Sequence, residues 1–391
     1  MTKAVLITVD ALRKDVTYSD RVDTPNIDRL MSKGQVFDKA YANGSTTPSA
    51  FPAILASSKS NDGIGCPDTR TVAEAFSNEG FETIAISTNP NSGPYNGYGR
   101  GFDHFEDFVK SGAEKEEKSF LFKIGRRIVH SSDTLYSFVR KNRSKLDLPY
   151  ERAEALNEEL FSRLEEGEDQ FFFVHYMETH NPYLPPEGYV DTESEAWKDR
   201  FDLNEEVRYE EPREELNDKI WELYKGELRY LDEQIGELLD RIESLDEEVI
   251  MIFTADHGEQ FGEFGSYFHP GNLRNIQINI PLILYGVKAE GELFSHLDIG
   301  PTLLGALGKG TEGFDGMDLT EEERHAVTVN LEGERCVVTP DWKLLDTEEE
   351  RCLFDIDDYL EKGNLAEERK EVVEELEPML ETVPAVQGIE I

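Results

Sequence analysis

Five short apolar runs limit what this chain can fold into more than any other feature. They are residues 4–9 (Ala-Val-Leu-Ile-Thr-Val), 83–87 (Thr-Ile-Ala-Ile-Ser), 171–176 (Phe-Phe-Phe-Val-His-Tyr), 249–254 (Val-Ile-Met-Ile-Phe-Thr) and 281–285 (Pro-Leu-Ile-Leu-Tyr). A strand with one wet face alternates polar and apolar residues, whereas a strand covered on both faces reads as a continuous apolar run. Helical signals lie between them. Pro25 opens a helix that stops near Gly34, and residues 71–79 end before Gly80. Trp221, Tyr224, Leu228, Leu231, Ile235, Leu238 and Ile242 recur at helical spacing within 217–244. This alternation predicts an α/β fold with a mostly parallel central sheet sandwiched by helices. Beyond about Gly308 the pattern changes to short strand-like pieces (327–330, 335–339, 352–355) and an acidic helix near 366–381. Residues 310–391 are therefore read as a smaller C-terminal α+β unit after a main domain of residues 1–309.

Charge narrows the function. Of 391 residues, 82 are Asp or Glu and 40 are Lys or Arg, a formal charge of −42. Such a surface repels a phosphate backbone, so nucleic-acid binding is excluded. It suits a salt-rich surrounding, where the Debye length falls to about 3 Å at 1 M and self-repulsion is screened. No run approaches 18 apolar residues, so no membrane-spanning helix is expected. The first strand begins almost at Met1 with no leader ahead of it, and Cys66, Cys336 and Cys352 are too few for a disulfide framework. A salt-adapted cytoplasmic protein with free thiols is the expectation. Residues 118–145 break the acidic pattern, with eight Lys or Arg against Asp133 alone, interleaved with Phe120, Leu121, Phe122, Ile124, Ile128 and Val129. This basic insertion reads either as an amphipathic helix docked on the acidic body or as a peripheral contact with a membrane surface or polyanion.

Four stretches place ligand and nucleophile types where strands end. Asp10 stops the run 4–9, the usual site position in open parallel sheets. Ser45-Thr46-Thr47-Pro48-Ser49 precedes an apolar helix, where a hydroxyl serves as cap or nucleophile. His175, Glu178 and His180 follow the run 171–176. Asp256-His257-Gly258-Glu259 follows the run 249–254, with His269 twelve residues after His257. Adjacent Asp and His offer a hard oxygen and an imidazole nitrogen suited to a divalent transition metal, and Gly258 lets the backbone turn beside them.

Taken in order, these motifs resemble the sulfatase family of the alkaline phosphatase superfamily. The resemblance rests on Val9-Asp10, Thr46-Thr-Pro-Ser, His175 through Tyr183, Thr254-Ala-Asp-His-Gly-Glu and Asp298-Ile-Gly-Pro-Thr-Leu-Leu. Gly101-Phe-Asp-His-Phe, Asp341-Trp-Lys-Leu-Leu and Leu353-Phe-Asp-Ile fit as well. It implies that 1–309 is the catalytic domain and that Asp10, Asp256 and His257 bind one divalent metal, with the Thr46 oxygen facing it. Mn2+ or Zn2+ is expected ahead of Ca2+ or Mg2+. His180 matches the histidine beside the transferred or leaving group, and His269 matches a position often held by lysine that contacts the ester oxygens. His175 is a further substrate-binding candidate, Asp298 begins a helix packed on the sheet, and His296 is expected at the surface. The family's formylglycine precursor is replaced by Thr46, its motif arginine by Ala50 and its second N-terminal Asp by Ala11. Threonine nucleophiles in the superfamily act on phosphate esters. The resemblance thus implies a metal-dependent hydrolase of small-molecule, glycan-linked or lipid-linked sulfate or phosphate esters. The alternatives are a phosphotransferase moving a phospho-alcohol headgroup and an inactive binding protein on the same fold.

Overall fold

The computed structural model describes residues 1–59, 65–108, 148, 150–331 and 333–381. The basic segment 118–145 lies outside them. Eight strands form the central sheet: β1 (Thr2–Val9), β2 (Gln35–Tyr41), β3 (Glu82–Ser87), β4 (His104–Asp107), β5 (Gln170–Tyr176), β6 (Glu248–Ala255), β9 (Asn279–Tyr285) and β10 (Leu293–Ser295). Their order across the sheet is β10-β2-β9-β6-β1-β5-β3-β4. Every pairing is parallel except those of β9 with β2 and β6. All five apolar runs fall in this sheet, and β1, β5 and β6 are buried along nearly their whole length.

Helices cover both faces. On one side lie α1 (Pro25–Lys33), α4 (Ala153–Arg163), α5 (Glu195–Glu206) and the 30-residue α6 (Glu214–Glu243), against which the other three pack. On the other lie α2 (Thr47–Ala56), α3 (Val72–Asn78) and α7 (Ile299–Ala306). The stripe on α6 buries Leu223, Tyr224, Leu228, Leu231, Ile235, Leu238, Leu239 and Ile242. Burial of each such side chain is worth about 2 kcal/mol, which is what holds a long acidic helix on the sheet. A two-stranded hairpin, β7 (Gln260–Phe261) and β8 (Tyr267–Phe268), stands over the C-terminal edge.

The C-terminal unit is an antiparallel meander of β11 (Val327–Leu331), β12 (Glu334–Val338), β13 (Trp342–Thr347) and β14 (Arg351–Asp355), with α8 (Lys370–Glu381) against β12 and β13. Its two faces do different work. Val329, Cys336, Val338, Leu345 and Phe354 join the main core, while Val337, Leu344 and Leu353 pack under Leu376 and Leu380 of α8. Strand alternation sends successive residues to opposite faces, so one short sheet glues the helix to the body. Fully buried Lys343 reaches across to the Leu273 carbonyl (2.6 Å), Asn275 Oδ1 (2.9 Å) and Glu361 (2.5 Å).

Candidate active site

Strands β1, β5 and β6 are neighbours, and Val9 pairs with both Tyr176 and Ala255. Asp10 and Asp256, one residue further on, therefore leave the sheet side by side at its carboxyl edge. Ala11 turns the chain at φ 58°, a left-handed conformation costing an alanine about 1 kcal/mol. That turn aims the Ala11 N–H at Asp256 Oδ1 (3.1 Å), which also accepts from the His257 N–H (2.8 Å). At Gly258 a Cβ would overlap the Ile276 carbonyl oxygen, so glycine is required by close approach.

Asp10, Asp256 and His257 are fully buried, and one ligand atom from each lies within 4.8 Å of the other two. Among the described residues, Asp10 Oδ1 and Asp256 Oδ2 have no hydrogen-bond partner. They stand 3.7 and 3.6 Å from His257 Nε2. His257 Nδ1 is 2.8 Å from the Gly258 carbonyl. A carbonyl only accepts, so the proton sits on Nδ1 and the Nε2 lone pair faces the two bare oxygens. Burial, then the neighbouring His269, pushes His257 down to about 4, which keeps it in the neutral, metal-binding form. Burial and the Asp10 charge raise the Asp256 carboxyl. Burial would raise Asp10 too, but His180 and the His175 hydrogen bond outweigh it and hold that carboxyl far below the usual range. Two water-excluded carboxylate oxygens and an imidazole lone pair converging on one point fit a divalent cation.

The second Asp10 oxygen is held from behind. Oδ2 accepts from Asn89 Nδ2 (2.7 Å) and Thr47 Oγ1 (3.3 Å), with His175 Nε2 at 3.4 Å. The Thr8 hydroxyl lies 2.7 Å from His175 Nδ1. His175 was expected against substrate; instead it is fully buried between Asp10 and the Phe51 ring and does not line the cavity. Asn89 was not singled out by the sequence. Its only signal was an Asn two residues beyond the apolar run 83–87.

At the start of α2 the two threonines diverge. Thr46 is the N-cap, with Oγ1 2.9 Å from Ser49 Oγ, and Ser49 in turn accepts from the Thr46 N–H (3.1 Å). Thr47 is buried and sets its Oγ1 3.5 Å from His257 Nε2 as well as on Asp10. The hydroxyl bonded to the ligand cluster is that of Thr47, while Thr46 turns its own to the capping box.

Both threonines line a cavity of about 440 Å3, together with Thr88, Asn89, Asn91, Tyr150, His180, Asn181 and His269. The His269 ring lies 4.6 Å from that of His257 and 5.3 Å from that of His180. Glu259, fully buried, holds His269 Nδ1 at 3.0 Å and accepts from the Tyr183 hydroxyl at 2.7 Å. Burial alone would lower His269, but the Glu259 charge prevails and pushes it up to about 9. Thr46, His180 and His269 thus line the cavity, while Asp10, Asp256 and His257 lie buried behind it, joined to its wall through Thr47 and Asn89. His296 was expected at the surface. It is fully buried and donates Nε2–H to the Ala255 carbonyl at 2.9 Å, directly behind Asp256. Asp298 anchors the same turn, accepting from Ser295 N–H, Met317 N–H and Arg324. Among the described residues no helix is long and apolar enough to cross a membrane.

With an Asp–Asp–His cluster and a hydroxyl-capped helix at the carboxyl edge of this sheet, the chain is an ester hydrolase. The chain belongs to the Sulfatase family, whose model matches residues 3–309. An arylsulfatase of Clostridium perfringens is 26% identical over 404 residues, covering 84% of this chain and 80% of its own. A low-salt glycan biosynthesis sulfotransferase of Haloferax volcanii is 28% identical over 161 residues, covering 38% of this chain and 37% of its own. The phosphonate monoester hydrolase of Agrobacterium radiobacter superposes with a TM-score of 0.72 at 18% identity, covering 97% of this chain and 95% of its own.

Proposed function

We propose that this chain hydrolyses a sulfate or phosphate ester with a threonine nucleophile and one divalent cation held by Asp10, Asp256 and His257. The observation that carries the reading is the pair of unpartnered carboxylate oxygens facing His257 Nε2 beside a hydroxyl- and histidine-lined cavity. When bound, such a cation supplies Lewis-acid charge to the attacking hydroxyl and the ester oxygens, and this donor set suits Mn2+ or Zn2+ ahead of Ca2+ or Mg2+.

Thr46 is the proposed nucleophile: it occupies the motif position, lines the cavity and is only half-buried. Its Oγ leaves Ser49, loses its proton to solvent water and attacks sulfur or phosphorus in line as the bond to the leaving oxygen breaks. His269, held by Glu259, presents Nε2–H to that oxygen and gives it the proton, while His180 flanks the developing charge. Water then releases the acid and restores the hydroxyl. Thr47 is a second reading, favoured by its bonds to Asp10 and His257. An acceptor alcohol in place of water would give transfer, the reaction named for the Haloferax relative.

The test is turnover of aryl sulfate, aryl phosphate and aryl phosphodiester by the Mn2+-loaded protein, with and without an acceptor alcohol. Thr46→Ala should abolish turnover and the covalent adduct, with Mn2+ still bound. Parent-rate hydrolysis by Thr46→Ala, with the adduct mapped to Thr47, would move the nucleophile by one residue. Absence of hydrolysis by the parent protein on all three esters would refute the proposal.

A further inference from the structure

We propose that the cavity mouth carries a second oxyanion subsite built on Arg208, so that the preferred ester bears another sulfate, phosphate or carboxylate beyond the group cleaved. The inference rests on the reading of this cavity as the ester-cleaving site.

The wall of the cavity, among the described residues, holds no lysine or arginine; its polar groups are hydroxyls, amides and imidazoles. Arg208 stands just outside it. Exposed beyond the end of α5, it donates from Nη2 to Asn181 Oδ1 at 3.2 Å. Asn181 lines the cavity, and its backbone carbonyl lies 2.6 Å from His180 Nδ1. The guanidinium is therefore linked through a single residue, Asn181, to the imidazole on the cavity wall.

Nearby Arg213 is taken by Glu206 and Lys198 by Glu193, yet no carboxylate of the described residues lies within 4.0 Å of Arg208. Its remaining N–H donors form a planar fork matched to a carboxylate, sulfate or phosphate. Glu205, Glu206, Glu210 and Glu211 flank it in sequence and weaken capture of a free anion. An anion tethered to an ester already seated is presented at high effective concentration, so that penalty is overcome only for the doubly charged substrate.

Two exposed rings neighbour these residues along the chain. Tyr209 follows Arg208 and is 77% exposed; Tyr95 is 98% exposed. Tyr95 sits on a turn whose Asn96 Nδ2 donates to the carbonyls of Pro90 and Asn91, both cavity residues, at 3.1 and 3.2 Å. Such rings offer apolar faces to a ring-bearing substrate. The substrate class is thus a sugar ester with a second acidic group.

The experiment compares glucose 2-sulfate, glucose 2,6-disulfate and glucuronic acid 2-sulfate, which differ only at the sixth carbon. Calorimetric binding to the Mn2+-loaded full chain is measured at fixed ionic strength, with turnover read in parallel. The parent protein should bind one of the two doubly charged esters about tenfold more tightly than glucose 2-sulfate. Arg208→Gln should bring that ratio near one with glucose 2-sulfate unchanged, and Arg208→Lys should fall between. Equal affinities in the parent, or an advantage that survives Arg208→Gln, overturn the subsite. Selectivity without turnover would refute hydrolysis and leave the subsite standing; turnover without selectivity would do the reverse.

Discussion

Replacing Asp256 by Asn should stabilise the metal-free protein, the opposite of what loss of a buried, hydrogen-bonded side chain normally does. Asp256 Oδ1 accepts two backbone N–H bonds, and an amide oxygen can keep both. Oδ2 is bare and shares a buried pocket with bare Asp10 Oδ1, so the new amide nitrogen gains an acceptor where one carboxylate faced another. Burial and Asp10 raise the Asp256 carboxyl from 3.8 to about 7. A carboxyl whose folded pKa is raised binds its proton more tightly in the native state. The resulting penalty is absent below about pH 4, grows as pH rises and is complete above about pH 7. For a fully buried carboxyl such a penalty is on the order of a few kcal/mol. Asp256→Asn should therefore raise metal-free stability at pH 8 by a few kcal/mol and leave it nearly unchanged at pH 4. It should also erase the stabilisation by Mn2+, about 2.7 kcal/mol at a hundredfold excess over Kd. Urea denaturation with EDTA or Mn2+ at both pH values reads all of these. A variant less stable than the parent at pH 8 without metal, with the Mn2+ effect intact, would show that the cluster is not a cation site.

Other expectations follow from the same geometry. Glu259→Gln removes the charge that holds His269 protonated, so turnover of alkyl esters should fall at least tenfold while nitrophenyl esters, which leave unaided, change little; an equal loss on both would place Glu259 in the scaffold alone. Arg324→Ala strands the fully buried Asp298 carboxylate and should cost about 3–5 kcal/mol in denaturation, with Asp298→Asn on the same chain recovering part of it. Gly258→Ala should cost about 1–3 kcal/mol and lower Mn2+ occupancy, because the turn must shift away from Ile276. With a charge of −42, stability should rise between about 0.1 M and about 2 M KCl as repulsion is screened, and a flat profile would argue against salt adaptation.

The parts legible in the sequence were those written as periodicity. The apolar runs at β1, β5 and β6 and the stripe on α6 each announce burial within a single segment, so their elements follow directly. Strand direction does not: β9 reads like its neighbours, yet it runs against both, because direction is set by the connections rather than by side-chain pattern. Strand β2 was missed because Asp38 and Lys39 interrupt its apolar side. In the site, Asp10, Asp256 and His257 were legible because they end such runs. Which of Thr46 and Thr47 faces them was not, since one residue of rotation at a helix start decides it. His296 reads as a polar surface residue until the Ala255 carbonyl is found to need its proton.

The two carboxylates that end β1 and β6 inherit their separation from the sheet. Val9 and Ala255 face each other across adjacent strands, so backbone hydrogen bonding, at roughly 4.8 Å per strand, acts as the ruler between them. Rim segments 88–100, 181–213 and 262–274 hang beyond that ruler and take no part in setting it. Descendants of such a chain are free to rewrite the doorway for a new guest while the gauge beneath stays cut to the same width.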